Sequence, residues 1–300
     1  MASKDVYNKL LIKNIPVDKS YFTRNDSLET NEDIYILQDT LSQFKDKNDR
    51  SPIITLNTLV ANPDFEKIKE SRFEKYYLKT IENTYNENKI DSSKVLEIYK
   101  DSINSNEYFK PQFHGREHLN VRKYMANLKD KKKYDLLGLD FKCILGLTEG
   151  EQIKSREYYD RDNYMAGFEA LGEPHEQEII EITNNGLKMF KQIFGIKSES
   201  FVAQSLIWGD FLLPVLKEHH VKYIQGAQQF VPLGDGRLKV VNKFTGNKTL
   251  CNHLLWRRNA SFEPSSQPRL DWADKCLKEI EIAFMWKTPA ISDYIMFCFL

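Results

Sequence analysis

Apolar residues recur along much of the chain at spacings of three and four, the period of a helix that buries one face. The segments with this pattern begin at Ser3 and after Asn31, and then cover about residues 64–83, 92–104, 117–128, 176–194, 210–218 and 272–284. Ile34, Leu37, Leu41 and Phe44 form the predicted inward face of the second helix. Gly195 is predicted to end the most regular of these helices, the one over residues 176–194.

Other stretches are short, apolar or β-branched, and bounded by turn residues, which is typical of buried strands. They cover about residues 52–60, 110–114, 200–207, 221–225, 238–241 and 253–257, with one more strand starting near 289–292. Strands that alternate with helices imply parallel βαβ units. Their number, in a chain of 300 residues, favours a single domain over residues 1–300 with the architecture of a distorted parallel (β/α) barrel. Residues 130–175 show no clear period and are predicted to be an irregular insertion.

The order of the elements is unusual for such a barrel. Two predicted helices precede the first predicted strand, which begins at residue 52. A parallel barrel should begin with a strand. The sequence therefore predicts a barrel whose first strand is missing, with an unpaired edge on the strand at residues 52–60.

Composition narrows the possible partners. The 43 basic and 43 acidic side chains cancel, so no basic field favours a nucleic acid or an anionic membrane. No apolar run approaches the roughly 20 residues of a membrane span, and the N-terminal sequence lacks the apolar core of a signal peptide, which together predict a cytoplasmic protein. The cysteines form no CxxC pair and are predicted to be reduced thiols: Cys143, Cys251, Cys276 and Cys298.

The sharpest chemical feature is the stretch Phe113-His114-Gly115-Arg116-Glu117-His118. Two imidazoles separated by three residues can bind one metal ion. Pro111 and Gly115 interrupt a helix, so His114 is predicted at a strand end and His118 in the following turn, where α/β proteins place their chemistry. The alternative is a loop in which both side chains are satisfied by hydrogen bonds.

Four further residues follow predicted strand ends. Asp64 is a candidate functional carboxylate, although a helix N-cap is the favoured interpretation. Arg258 could orient an anionic transition state or pair at the surface. Trp208 and Asn259 are candidates for sugar binding, with core packing the commoner role for a tryptophan. The chain contains no GxGxxG, Walker or GxSxG motif, so nucleotide binding and serine hydrolysis have no support.

Four stretches resemble a bacterial group of polysaccharide (de)acetylases, which is similar to the wider carbohydrate esterase and glycoside hydrolase/deacetylase superfamily. They are Ala61–Ile68, Pro111–Val121, Asn163–Phe168 and Asn259–Ser265. The resemblance implies a distorted (β/α) barrel, a divalent metal, usually zinc, bound by one Asp and two His, and hydrolysis of acetyl groups on a sugar. His114 and His118 match the paired histidines of the family.

The chain departs from the family at two places. Family members carry an Asp-Asp pair after a first strand and a catalytic His after the last strand, whereas Met1 here falls in the following helix and residues 293–300 contain no His. We therefore expect a metal-dependent deacetylase with impaired or no activity. The alternative is a non-catalytic carbohydrate-binding barrel, and a phosphate- or nucleotide-handling barrel is disfavoured by the missing glycine loops.

Overall fold

The computed structural model describes residues 4–13, 28–87, 91–130, 139–141, 164–226, 228–233, 237–264 and 267–294. The helices are α1 (Lys4–Ile12), α2 (Asn31–Ser42), α3 (Phe65–Glu70), α4 (Ile81–Glu87), α5 (Val95–Ser105), α6 (Val121–Leu128), α7 (Glu173–Phe194), α8 (Leu213–Glu218) and α9 (Trp272–Met285). The strands are β1 (Ile53–Leu59), β2 (Ala61–Pro63), β3 (Leu78–Thr80), β4 (Tyr108–Gly115), β5 (Ser200–Val202), β6 (Tyr223–Gln225), β7 (Gln228–Pro232), β8 (Leu238–Asn242), β9 (Leu254–Trp256), β10 (Ala260–Phe262) and β11 (Ser292–Tyr294). Most of the predicted insertion at 130–175 lies outside these residues.

A five-stranded parallel sheet organises the chain. Its strand order is β1-β4-β5-β6-β9, so the strands of this sheet lie side by side in the order in which they occur along the chain. The predicted α/β class with parallel βαβ units is confirmed. Within the described part of the chain this sheet is open: β1 is one edge and pairs only with β4, as expected for the strand at residues 52–60.

Successive side chains along each strand point to opposite faces of the sheet. Those on the face that packs against the helices are apolar. Phe113 on β4 and Phe201 on β5 are fully buried, and their ring centroids lie 6.3 Å apart. Phe190 from α7 meets Phe113 edge-on at 6.3 Å. Burial of such aromatic side chains, together with Leu56, Ile224 and Leu255 from the neighbouring strands, fixes the sheet against its helices.

The opposite face of the sheet carries a polar network. Gln112 on β4 accepts hydrogen bonds through Oε1 from the backbone N–H groups of Glu199 and Ser200, at 2.8 and 2.7 Å. Gln225 on β6 donates to the Ser200 hydroxyl at 3.0 Å. Hydrogen bonds of the Gln112 and Gln225 side chains therefore join three strands on this face, which leaves polar groups on the side of the sheet that bears His114.

The prediction of one continuous helix over residues 64–83 is wrong, because only about its first turn and a half forms before the helix ends. Helix α3 ends at Glu70, and Arg72 and Phe73 adopt positive φ angles of 54° and 64°. A helix cannot continue through left-handed backbone, so the chain turns back and β3 pairs antiparallel with β2. Helical spacing of apolar residues did not reveal this break because neither residue is a glycine or proline.

Two other predictions need correction. The strand predicted over residues 200–207 ends at Val202, where a 3₁₀ turn begins. The strand predicted at 238–241 exists as β8, but it forms an antiparallel hairpin with β7 and is not part of the parallel sheet. The helix predicted over residues 176–194 is confirmed and spans Glu173–Phe194, and its cap at Gly195, with φ of 72°, is confirmed as well.

The predicted inward faces of two helices are only partly buried. On α2, Ile34 is buried and Leu37 and Leu41 pack against the core, whereas Phe44 lies past the helix end and is 61% exposed. On α9, Phe284 is 65% exposed and Cys276 is partly buried. Among the described residues, no helix combines the length and apolar character needed to cross a bilayer.

Glu199 should make stability depend on pH. Its carboxylate accepts hydrogen bonds from Lys110 and Lys222, at 2.8 and 2.6 Å, which lower its pKa from 4.5 to about 2. A lowered folded-state pKa stabilises the protein above the unfolded pKa, and this stabilisation is lost as the pH falls from about 4.5 towards 2. Because the carboxylate is 38% exposed, we expect Glu199→Gln to cost less than about 1 kcal/mol near pH 7.

Urea denaturation of both proteins between pH 7 and pH 2 checks this expectation. The difference in free energy of unfolding should be constant near neutrality and shrink as the pH falls from about 4.5 to 2. Glu97→Gln, a change on the exposed face of α5, is the matched control. A difference that persists unchanged at pH 2 would show that the two lysine contacts do not act through the charge of Glu199.

Candidate metal site

His114 occupies the penultimate position of β4, at the carboxyl edge of the parallel sheet. Its Nδ1 lies 2.9 Å from the carbonyl oxygen of Val202, the last residue of β5. A carbonyl only accepts hydrogen bonds, so Nδ1 carries the proton in the neutral ring. Nε2 is then the nitrogen with a lone pair, the form in which a histidine binds a metal ion.

His118 lies in the turn between β4 and α6, as the glycine at position 115 predicts. Its ring centroid is 5.3 Å from that of His114, and the two ring planes meet at 62°. The fold therefore brings the two imidazoles together at the strand end, where the sequence placed them.

Both imidazoles are neutral at physiological pH. Burial lowers the pKa of His114 to about 4. The hydrogen bond to Val202 raises this pKa, whereas the positive charge of Arg258 lowers it further. Burial also lowers the pKa of His118 to about 3, with His114 adding to the effect. Metal binding requires unprotonated imidazole, so both rings are in the form that binds a cation.

Backbone hydrogen bonds attach the loop after β4 to the end of β1. The carbonyl oxygen of Arg116 accepts from the N–H groups of Val60 and Ala61, at 3.1 and 2.8 Å. The Arg116 guanidinium makes two hydrogen bonds to Glu117, at 2.6 and 2.7 Å. Glu117 is 1% exposed. Its carboxylate is therefore used in an ion pair with Arg116.

The structure places Arg258 within electrostatic range of His114, since its charge contributes to the lowered pKa of that ring. Asp64 has a different role: its carboxylate accepts a hydrogen bond from the N–H of Lys67 at 3.1 Å and caps α3. This is the favoured of the two interpretations of Asp64. No group of three His, Cys, Asp or Glu side chains suited to a metal occurs among the described residues.

The two candidate sugar-binding residues have structural contacts. Trp208 is 2% exposed and belongs to the main core, which matches the commoner role of a buried tryptophan. The Asn259 side chain donates to the carbonyl of Pro289 at 3.0 Å and accepts from the N–H of Ile291 at 2.7 Å. It thereby joins the chain before β10 to the chain before β11.

Two residues near the histidines were not predicted from the sequence to belong to the site. Asn120 caps α6 and donates through its amide to the carbonyls of Ala166 and Glu169, at 3.2 and 2.9 Å. An Asn directly before an apolar helical run is a recognisable capping signal. Gln204 lies at the base of the same loops, and no local pattern marks it.

The comparisons with known proteins give no family assignment. No protein-family model matches the sequence, and no curated protein matches it either. The likeness to polysaccharide deacetylases therefore depends on the four stretches quoted above.

Cys251 and Cys276 are free thiols in the structure, whereas Cys143 and Cys298 lie outside the described residues.

Proposed function

We propose that this protein binds a divalent metal ion through His114 and His118. We further infer that this ion is zinc, because both ligands are imidazoles. We further propose that the site belongs to a deacetylase-type (β/α) barrel acting on acetyl groups of a sugar or polysaccharide. The observation that carries the proposal is the pair of neutral imidazole rings, 5.3 Å apart, at the carboxyl edge of a parallel sheet. Chemistry in parallel α/β folds is placed at this edge.

The positions of the resembling stretches support this proposal. Residues 61–68 follow β1, residues 111–121 span the end of β4, and residues 259–265 follow β9. The carboxyl ends of parallel strands meet at one edge of a sheet, so three stretches that are distant in sequence emerge on the same side. Residues 164–168 join them through the hydrogen bond from Asn120 to Ala166.

The surrounding side chains suit hydrolysis of an acetyl group. A divalent metal polarises a carbonyl and lowers the pKa of water. Val202 holds His114 in the tautomer that ligates through Nε2. Arg258 supplies a positive charge on the same side, which would stabilise the negative charge that develops on the acetyl oxygen.

Turnover should nevertheless be slow. Catalytic zinc sites typically have three protein ligands, and the described site provides two imidazoles. Its nearest carboxylate in sequence, Glu117, is paired with Arg116, and Asp64 caps α3. The described residues of the site therefore include no assigned proton acceptor and no assigned proton donor for the reaction.

Carbohydrate binding without catalysis is the second candidate, and one observation favours it. Tyr223 and Trp256 stack on neighbouring strands, with ring centroids 4.0 Å apart and planes at 22°. Both rings are partly exposed, and flat amphipathic rings are suited to surfaces that are apolar on one side and wet on the other. Such a pair could bind a sugar without any metal.

Acetate release from acetylated oligosaccharides distinguishes the two functions. We expect slow release in the presence of zinc, and none after chelation or in His118→Ala. His220→Ala, which changes an exposed histidine away from the pair, should leave the rate unchanged. Oligosaccharide binding that is unaffected by chelator but lost in Trp256→Ala, with no acetate released, would instead establish the carbohydrate-binding function.

A further inference from the structure

Gln204 lies two residues past the end of β5, and its side chain is completely buried. Its Nε2 donates to the carbonyl oxygen of His114 at 3.1 Å and to that of Glu117 at 2.7 Å. Its Oε1 accepts from the N–H of Gly167 at 3.1 Å. The side-chain amide of Gln204 therefore forms hydrogen bonds at both ends of the turn from His114 to Glu117. It also joins this turn to the loop that contains Gly167.

Two glycines leave the space that this amide occupies. A Cβ at Gly115 would lie 2.3 Å from Gln204 Nε2, and a Cβ at Gly167 would lie 2.2 Å from Gln204 Oε1. A side chain at either position would force the Gln204 amide to move and to give up its hydrogen bonds. The glycines of two separate stretches, 113–118 and 164–168, are thus explained by the packing of a third residue between them.

The backbone after Gln204 is shaped to deliver this side chain. Ser205 and Leu206 adopt left-handed conformations with φ of 52° and 58°, which cost energy for residues other than glycine. The turn begins directly after β5, whose last residue, Val202, accepts the hydrogen bond from His114 Nδ1. The end of β5 therefore fixes both the ring and the main chain of His114.

We propose that Gln204 is a positioning residue for the histidine pair: it sets the backbone of the turn so that the His114 ring reaches Val202 and presents Nε2 beside His118. The inference rests on the proposed metal site for its importance to function. The geometry that it describes exists in the metal-free protein and can be measured there.

Nitrogen NMR of metal-free protein gives the direct test. Wild-type His114 should show one tautomer, protonated at Nδ1. Gln204→Ala should show a mixture of tautomers at His114, and its zinc affinity should fall by about 10–100-fold, as for other residues that orient metal ligands. Leu187→Ala, a core change on α7, is the control: its melting temperature falls, but the tautomer and zinc affinity do not change.

Gln204→Met provides a second variant in case the alanine variant does not fold, because it keeps the side-chain length and removes all three hydrogen bonds. A single Nδ1-protonated tautomer in either folded variant would overturn the inference. If wild-type protein fails to bind zinc while Gln204→Met still loses the tautomer, the proposed function is wrong but the positioning role of Gln204 stands.

A double-mutant cycle tests the packing independently. Gly167→Ala should strongly destabilise the wild-type protein, because the new methyl group meets Gln204 Oε1. In the Gln204→Ala background the same change should cost little, since the closest other atom is the carbonyl oxygen of Leu119, at 3.1 Å. Equal destabilisation in both backgrounds would show that Gln204 does not require this glycine.

Discussion

Replacing Arg116 by alanine is expected to lower the free energy of unfolding by about 3–5 kcal/mol, because it leaves a buried carboxylate without its cation. The Glu117 side chain is 1% exposed, and Arg116 is 11% exposed. Burial raises the pKa of Glu117 above its ordinary value, and Arg116 opposes that rise. Without the guanidinium, Glu117 must either take up a proton or remain ionised in a site that disfavours the charge.

Urea denaturation at pH 7 measures this loss, and the chain offers a matched control. Arg122 pairs with Glu178 at 2.6 Å, but these side chains are 43% and 47% exposed. Arg122→Ala should therefore cost less than about 1 kcal/mol. Similar small losses for both variants would mean that the Glu117 carboxylate is solvated or protonated in the native protein. The double change Arg116→Met and Glu117→Leu should recover much of the stability, because it removes both charges.

The second large effect concerns the metal. Replacing His114 by alanine removes one of the two imidazoles brought together at the end of β4, and should lower zinc affinity by more than about 100-fold, beyond what loss of an orienting group costs. His118→Ala should have the same effect. Calorimetry of each variant checks this, with His220→Ala as the control that retains wild-type affinity. Undiminished binding in both variants would place the zinc elsewhere on the protein.

The sequence predicted the parts of the fold that depend on local pattern. Strands β1, β4, β6 and β9 were predicted from short apolar runs, and helix α7 from its period and from Gly195. Each of these signals lies within the element that it marks. The parallel α/β class followed because strands and helices alternate.

Features that depend on distant contacts could not be predicted. The turn at Arg72 and Phe73 is imposed by the pairing of β2 with β3. Residues 228–232 form a strand because they pair with β8. Gln204 is separated from His114 by 90 positions, and a single glutamine within the run predicted as one strand, 200–207, carries no local sign that it reaches three backbone groups.

The candidate site shows the same division. The helix-breaking residues Pro111 and Gly115 were sufficient to predict His114 at a strand end and His118 in the following turn. Their tautomer and charge were not predictable, because these depend on Val202, on Arg258 and on burial. The sequence left Asp64 as either a functional carboxylate or, by preference, a helix cap, and the contact with Lys67 supports the cap.

Zinc titration of the wild-type protein by calorimetry at pH 7 is the decisive test of a metal site at His114 and His118. We expect one zinc ion per chain, with proton release close to zero because both imidazoles are already neutral. His114→Ala should abolish this binding. Absence of zinc binding by folded wild-type protein, or binding that survives loss of both His114 and His118, would contradict the assignment of a metal site at the end of β4.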